Sequence, residues 1–271
     1  MEVCSHWNRV HHIFFMVYNL KEIMNLTILG SGTCVPSLKR NASGYYMEEE
    51  GYRILVDCGS GTLLQLEKAG RNYRDIDAVF ITHSHPDHFA DLMPLIHALL
   101  ATPKFKREKF LTLFASGSFL DYFNKAVVPL LGGLRDFPIT LFEVKDRFDY
   151  GPFQVLSAKT LHSEDSMAFR FENSDKSVVF TGDADYDQGI IELAKDADLL
   201  VADCSFPDAL KAKGHLSAKE CGLVAQKAGV KKLVLSHLYP ADSPDIDRVY
   251  ESRKVFDGEI VLSEDLMEFE I

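Results

Sequence analysis

The sequence predicts a layered α/β fold in which helices cover two sheets packed face to face. Three observations carry that expectation. From Met24 onward, short runs rich in β-branched residues alternate with segments of helical periodicity, the pattern of layered α/β architecture. The 271 residues exceed the roughly 100 to 200 of an average domain but fit one large α/β domain. Hydrophobic residues make up 46% and charged residues 25%, so a large core can be buried and a disordered chain is excluded. No repeat or low-complexity linker divides the chain.

Strands are expected over residues 26–29, 52–56, 78–82, 112–115, 139–144, 153–158, 167–172, 177–181, 199–202, 232–236 and 259–262. Each is a short apolar or β-branched run bounded by turn residues. Helices are expected over 61–69, 89–101, 119–131, 188–194, 217–228 and 246–255, where apolar positions recur at helical spacing. One helix start is especially legible. Ser217-Ala218-Lys219-Glu220 is a capping box, and Cys221, Val224, Ala225 and Ala228 follow on one face. His215 therefore stands just before a helix N-terminus, where free backbone N–H groups and the positive end of the dipole suit an anion such as phosphate. Residues 1–23 hold Trp7, His6, His11 and His12 but no cationic n-region or small-residue cleavage site. They read as an extension outside a core domain spanning 24–271, with Met24 as a second candidate start.

Charge and cysteine content narrow the class. Lys and Arg number 29 against 40 Asp and Glu, a formal charge of -11, which repels polyanions at long range and argues against a general nucleic-acid binder. Cys4, Cys34, Cys58, Cys204 and Cys221 are scattered without a CxxC pair. Neither a disulfide framework nor a cysteine zinc cluster is suggested, and a reducing cytoplasm fits. No apolar stretch reaches the roughly 18 residues needed to span a bilayer, so no membrane partner is expected.

The chemistry is concentrated in Thr82-His83-Ser84-His85-Pro86-Asp87-His88, which closes an apolar strand. A polar surface loop could carry such residues harmlessly. The spacing favours more: in extended backbone His83 and His85 project the same way, while Asp87 and His88 lie past the turn at Pro86 and can face a second ion. A two-metal hydrolytic site needs further ligands at other strand ends. His162 follows the strand at 153–158, Asp183 follows the strand at 177–181, and His237 closes the strand at 232–236. Each alone is more often structural. Together they supply five histidines and two carboxylates, a nitrogen and oxygen set that zinc accepts.

These residues, with Leu29-Gly30-Ser31-Gly32-Thr33, the turn Asp57-Cys58-Gly59-Ser60-Gly61-Thr62, Leu161-His162-Ser163, Thr181-Gly182-Asp183, Gly214-His215 and Ser236-His237, resemble the metallo-β-lactamase superfamily. Within it, the chain is similar to the ribonuclease Z and related phosphodiesterase branch over Met24 to Ile271. The resemblance implies a four-layer αββα sandwich of two mixed sheets flanked by helices, with the site along one sheet edge. It places His83, His85 and His162 on one divalent ion, Asp87, His88 and His237 on another, and Asp183 between them. Zinc is the first expectation for both ions, with manganese or iron as alternatives. Two such ions about 3.5 to 4 Å apart activate a bridging hydroxide for in-line attack on a phosphodiester. Asp87 and His215 are then the catalytic residues, His215 as proton donor or oxyanion stabiliser. Asp57 orients a ligand histidine from behind.

The chain also departs from that branch. Ribonuclease Z enzymes carry a long glycine- and proline-rich arm that clamps transfer RNA, usually between the third metal histidine and the bridging aspartate; here only residues 163–182 fill that gap. The branch follows its last ligand with a serine and an arginine, whereas this chain reads His237-Leu238-Tyr239-Pro240 and has Leu216 where a serine is expected. A small or cyclic phosphodiester is therefore the favoured substrate. Transfer RNA 3′ processing is the alternative, with the basic residues of 104–109 as its only candidate exosite and otherwise a solvated loop. A non-enzymatic metal-bearing binding protein, or a hydrolase of another ester, thioester or lactam, completes the set. A homodimer is compatible with all of these readings.

Overall fold

The computed structural model describes residues 23–134, 137–240 and 247–271. The extension expected over 1–23 lies outside them except for Ile23, as does Ile246, the first residue of the last expected helix. The first sheet contains β1 (Asn25–Gly30), β2 (Gly44–Glu49), β3 (Tyr52–Cys58), β4 (Ala78–Phe80), β5 (Leu111–Ala115), β6 (Ile139–Glu143) and β14 (Glu268–Glu270), in the order β14-β1-β2-β3-β4-β5-β6. The second contains β7 (Arg147–Tyr150), β8 (Phe153–Lys159), β9 (Met167–Glu172), β10 (Ser177–Phe180), β11 (Leu199–Asp203), β12 (Lys232–Ser236) and β13 (Glu259–Leu262), in the order β13-β12-β11-β10-β9-β8-β7. Both sheets are mixed. In each, one side is an antiparallel meander and the other a parallel run, β3 to β6 in the first and β10 to β13 in the second.

Alternation along the strands builds the layers. Ile54 and Val56 of β3 face the other sheet while Leu55 faces the helices; Val178 and Phe180 of β10 do the same around Val179. Strands buried on both faces read as continuous apolar runs, which is why the central strands were legible. Between the sheets lies an aromatic core in which Phe80 and Phe114 stack at 4.3 Å and Phe171 meets Phe80 edge-on at 4.9 Å. On the outer face of the first sheet pack α1 (Thr62–Lys68), α2 (Pro86–Phe89), α3 (Leu92–Ala101), and α4 (Gly117–Tyr122), which runs through a π turn at Phe123–Val127 into α5 (Val128–Leu130). On the second sheet pack α6 (Gln188–Leu193), α7 (Ala218–Ala228) and α8 (Arg248–Arg253). The result is the expected αββα sandwich.

Three strands escape the sequence pattern. β7 and β14 are sheet edges of four and three residues with charged alternation, so they lack the apolar run that marks a buried strand. β2 is interior, but its Glu48-Glu49 end before Glu50-Gly51 reads as a turn; Glu49 is buried against Asn173. The helix expected over 89–101 divides at Ala90-Asp91, because Asp91 turns its carboxylate to the backbone N–H groups of Gly61 and Leu63. Arg107 also departs from expectation. It is 7% exposed and donates to the carbonyls of Arg74, Ile76 and Phe110, so it braces a loop instead of joining a solvated basic face.

Candidate metal centre

The parallel strands of both sheets deliver their C-terminal ends to one place, where ligands collect in open α/β sheets. β4 runs into His83, and His85 then precedes the short α2, whose Pro86 needs no N–H partner in the first turn. β3 brings Asp57 behind this loop. β10 leads through Gly182 to Asp183, β11 ends in Asp203, and β12 ends one residue before His237. Asp57 and His237 both hold left-handed backbone, with φ of 58° and 53°, a conformation that costs non-glycine residues energy and gathers at functional sites. Gly182 permits the two sheets to meet: a Cβ there would lie 2.8 Å from the Thr82 Cβ.

All seven predicted ligands converge. His85 Nδ1 lies 3.0 Å from both His83 Nε2 and His162 Nε2. Asp183 Oδ2 faces this trio, 3.6 Å from His83 Nε2 and 3.5 Å from His162 Nε2. Its other oxygen, Oδ1, faces a second group, 3.2 Å from His88 Nε2 and 3.3 Å from His237 Nε2. Asp87 Oδ2 completes that group at 3.4 Å from His237 Nε2 and 3.8 Å from His88 Nε2. One carboxylate thus presents an oxygen to each cluster, and each cluster is able to hold a metal ion.

The far side of most rings is already held. His88 Nδ1 meets Asp57 Oδ2 at 2.7 Å, His162 Nδ1 meets the Gly214 carbonyl at 2.9 Å, and His83 Nδ1 meets Thr82 Oγ1 at 3.1 Å. Such outer partners fix ring orientation and leave the opposite nitrogen for a metal. That inner face is not self-satisfied. His88 Nε2 and Asp183 Oδ1 are buried and misaligned for a hydrogen bond with each other, so neither has a hydrogen-bond partner. Orphaned buried polar atoms are costly, and a cation between them removes the cost.

Electrostatics agrees. Burial and the neighbouring His88 hold the His83 imidazole far below its ordinary range, and burial lowers His162. Burial opposes charge on His88 and His237 too, yet carboxylates outweigh it: Asp183 and Asp57 push His88 well up, and Asp183 leads in pushing His237 to about 10. Asp183 itself is held far below the carboxylate range despite burial, by His237 and His88. A centre with buried aspartates that draws protons onto its histidines is short of positive charge.

Asp203 is the residue that sequence reasoning missed. Fully buried, it accepts from His215 Nδ1 at 2.8 Å and from Ser205 Oγ at 2.6 Å, and Ser205 Oγ lies 3.0 Å from Nδ1 of both His215 and His237. Burial opposes charge on His215, and the bond to Asp203 raises its pKa nonetheless. The signal was present: Asp203 closes an apolar strand next to the one that leads to Asp183. His215 indeed precedes the capped start of α7 at Ser217, and Lys211 Nζ fixes its carbonyl at 2.6 Å. Two cavities flank the 83–88 run, one of about 340 Å³ at Asp87 beneath residues 33–42 and one of about 420 Å³ beside His85.

The profile of a β-lactamase superfamily domain matches residues 52–238. A probable metallo-hydrolase, YhfI of Bacillus subtilis, is 32% identical over 251 residues, covering 88% of this chain and 96% of that protein. The crystal structure of that metallo-β-lactamase fold protein superposes with a TM-score of 0.81 at 27% identity, over 92% of this chain and 100% of the other. A ribonuclease Z of Archaeoglobus fulgidus is 27% identical over 307 residues, covering 92% of this chain and 98% of that protein. The short form of human tRNase Z, at 24% identity and a TM-score of 0.74 over 90% of this chain and 98% of that one, shares the fold.

Proposed function

From its membership of the β-lactamase superfamily, to which this chain belongs as a metal-dependent hydrolase, we propose that it hydrolyses a small or cyclic phosphodiester at the centre described above. The observation that carries the reading is the two-sided Asp183, with one oxygen toward His83 and His162 and the other toward His88 and His237. His83, His85 and His162 would hold one divalent ion, zinc by preference, and Asp87, His88 and His237 the other. Such a pair lowers the pKa of water and neutralises phosphoryl oxygens.

The chain's own groups supply the rest. Asp57 keeps the Nε2 of His88 turned inward through its bond to Nδ1. Asp203 holds the Nδ1 proton of His215, so the opposite ring nitrogen serves as proton donor to the departing alkoxide. Asp87, held below the carboxylate range by His237 against the opposing effect of burial, stays anionic, the state in which it would hold an ion and accept a hydrogen bond from water. The smaller substrate is supported by the short β9–β10 hairpin between His162 and Asp183. The alignment with the archaeal ribonuclease Z runs to 307 positions against 271 residues here, so that relative has segments without a counterpart in this chain. Transfer RNA processing is the second reading, favoured by that relative's name. Against it stand the charge of -11 and the commitment of Arg107 to carbonyls.

Elemental analysis after reconstitution should give up to two divalent ions per chain. Bis(p-nitrophenyl) phosphate should then turn over faster than a precursor transfer RNA at moderate salt. Absence of metal, or efficient cleavage at the transfer RNA 3′ end undiminished when Lys104, Lys106 and Lys109 are neutralised, overturns the proposal.

A further inference from the structure

Resting on the phosphodiesterase reading, we infer that the cavity beside His85 receives a cationic ammonium group carried by one ester arm of the substrate. Its position makes it a subsite. Ser84 and Pro86, which line it, flank His85, and Glu164 and Asp165, which also line it, follow His162 by two and three residues, so the cavity lies against the two loops that carry those histidines. Pro86 also lines the cavity at Asp87. A diester lying across the centre therefore places one ester group on each side of the 83–88 run.

The walls are an aromatic corner. The Phe89 and Tyr122 rings lie 5.9 Å apart at 76°, and Phe119, almost fully buried, meets Phe89 edge-on at 5.1 Å and 78°. Rings at right angles do not form the parallel faces that sandwich a flat base. Phe89, Phe119 and Tyr122 all line the cavity, and the faces of such rings attract cations. The open side is acidic. Asp165 is oriented by a 2.7 Å bond from Ser163 Oγ, and Glu164 is exposed with no ion pair among the described residues. Glu164 and Asp165 also line the adjoining cleft, which holds Glu143 and Lys159.

The two cavities differ in kind. The one at Asp87 sets that carboxylate beside Arg40, whose guanidinium donates to Ser31 Oγ and the Ser263 carbonyl, among small polar and apolar residues. The one beside His85 has no cation in its lining and two carboxylates. A second phosphate is repelled there, and a quaternary or primary ammonium finds both counter-charge and π faces. The chain's charge of -11 adds long-range attraction of the same sign.

The test compares two esters of p-nitrophenyl phosphate with the full-length metal-reconstituted protein. One carries choline and the other 3,3-dimethylbutanol, the same shape with carbon in place of nitrogen. Hydrolysis is followed by phosphorus NMR, so that cleavage of either ester bond is counted. The choline ester should show a kcat/KM about 10-fold higher. Tyr122→Ala and Glu164→Gln should each bring the ratio toward one; both positions are exposed, so folding is not at stake. Independently, saturation transfer to the methyl protons of tetramethylammonium should occur with the unmodified protein and disappear in Tyr122→Ala. A ratio of one or below in the unmodified protein, or no saturation transfer, overturns the inference. Tetramethylammonium bound at Tyr122 with no phosphodiester hydrolysed would instead overturn the reaction and leave the ammonium subsite standing.

Discussion

The two sheets reach the metal centre by different routes. The first contributes His83, His85, Asp87 and His88 from one strand end and one helical turn, with Asp57 behind them from the neighbouring strand. The second contributes His162, Asp183 and His237, with His215 beside them, from separate loops spread between residues 162 and 237. What aligns these is register. In β11 and β12, Asp203 pairs with Ser236, and in β10 and β11, Phe180 pairs with Val201, so Asp183, Asp203 and His237 leave the sheet at nearly the same level. A contiguous run needs only local geometry. A dispersed set needs a correctly paired parallel sheet, and it is held by longer relays through Ser205 and Lys211.

Asp183 is where the two contributions join, and its removal should have the largest effect. Asp183→Ala is expected to abolish metal retention and nearly all turnover, because two groups of histidines then face one another without the shared anion. Elemental analysis beside a bis(p-nitrophenyl) phosphate assay decides it. Full occupancy with retained activity would reduce Asp183 to a turn residue and dissolve the link between the two sheets.

His215 separates chemistry from metal binding within the second sheet. His215→Ala should leave metal content unchanged and lower kcat by about 10²-fold. Loss of metal together with activity would make His215 a ligand, and the cluster of Asp183, Asp203, His215 and His237 a metal position in its own right.

Asp57 offers the matching test in the first sheet. Asp57→Asn keeps the size but weakens the 2.7 Å contact with His88 and the 2.8 Å acceptance from the Thr82 amide. Metal affinity should fall by roughly 10- to 100-fold, while kcat at saturating metal changes less than in His215→Ala. Competition with a coloured chelator measures the first quantity. If affinity is unchanged and kcat falls instead, the first sheet also contributes to proton transfer, and the contrast between the sheets fails.

The same contrast governs what was legible in the sequence. The run from His83 to His88 is readable because its ligands are neighbours in the chain as well as in space. His162, Asp183 and His237 are marked only by their place at the ends of apolar strands, a mark that Asp203 shares. Its role depends on Ser205 and on the reach of His215 across ten residues, neither of which has a periodic signature. The layered α/β order was legible because doubly buried strands such as β10 are continuous apolar runs, and the αββα arrangement came from the resemblance; the edge strands β7 and β14 carry too little apolar surface to show. The cavity beside His85 was invisible for a related reason. Phe89 and Tyr122 belong to different helices, and only the packing of α4 against α2 brings their rings to right angles.

The smallest expected effect concerns what positions His215. The sequence points to the helix start, where Ser217 and Glu220 form a capping box. The structure adds direct anchors: Asp203 at 2.8 Å and Ser205 at 3.0 Å on Nδ1, and Lys211 on the carbonyl. If those anchors dominate, Ser217→Ala should cost about 1 kcal/mol of stability through the lost cap, a fall of about 2 to 4 °C in Tm for a domain of this size. kcat should stay within about twofold, since a twofold change corresponds to only a few tenths of a kcal/mol in the barrier. Ser217 Oγ also donates to Asp208 at 2.6 Å, which places the stability loss at the upper part of that range. Calorimetry and steady-state kinetics on one preparation separate the two quantities. A fall in kcat approaching that of His215→Ala, with little change in Tm, would show that the N-terminus of α7 aims the imidazole and that Asp203 serves only to charge it.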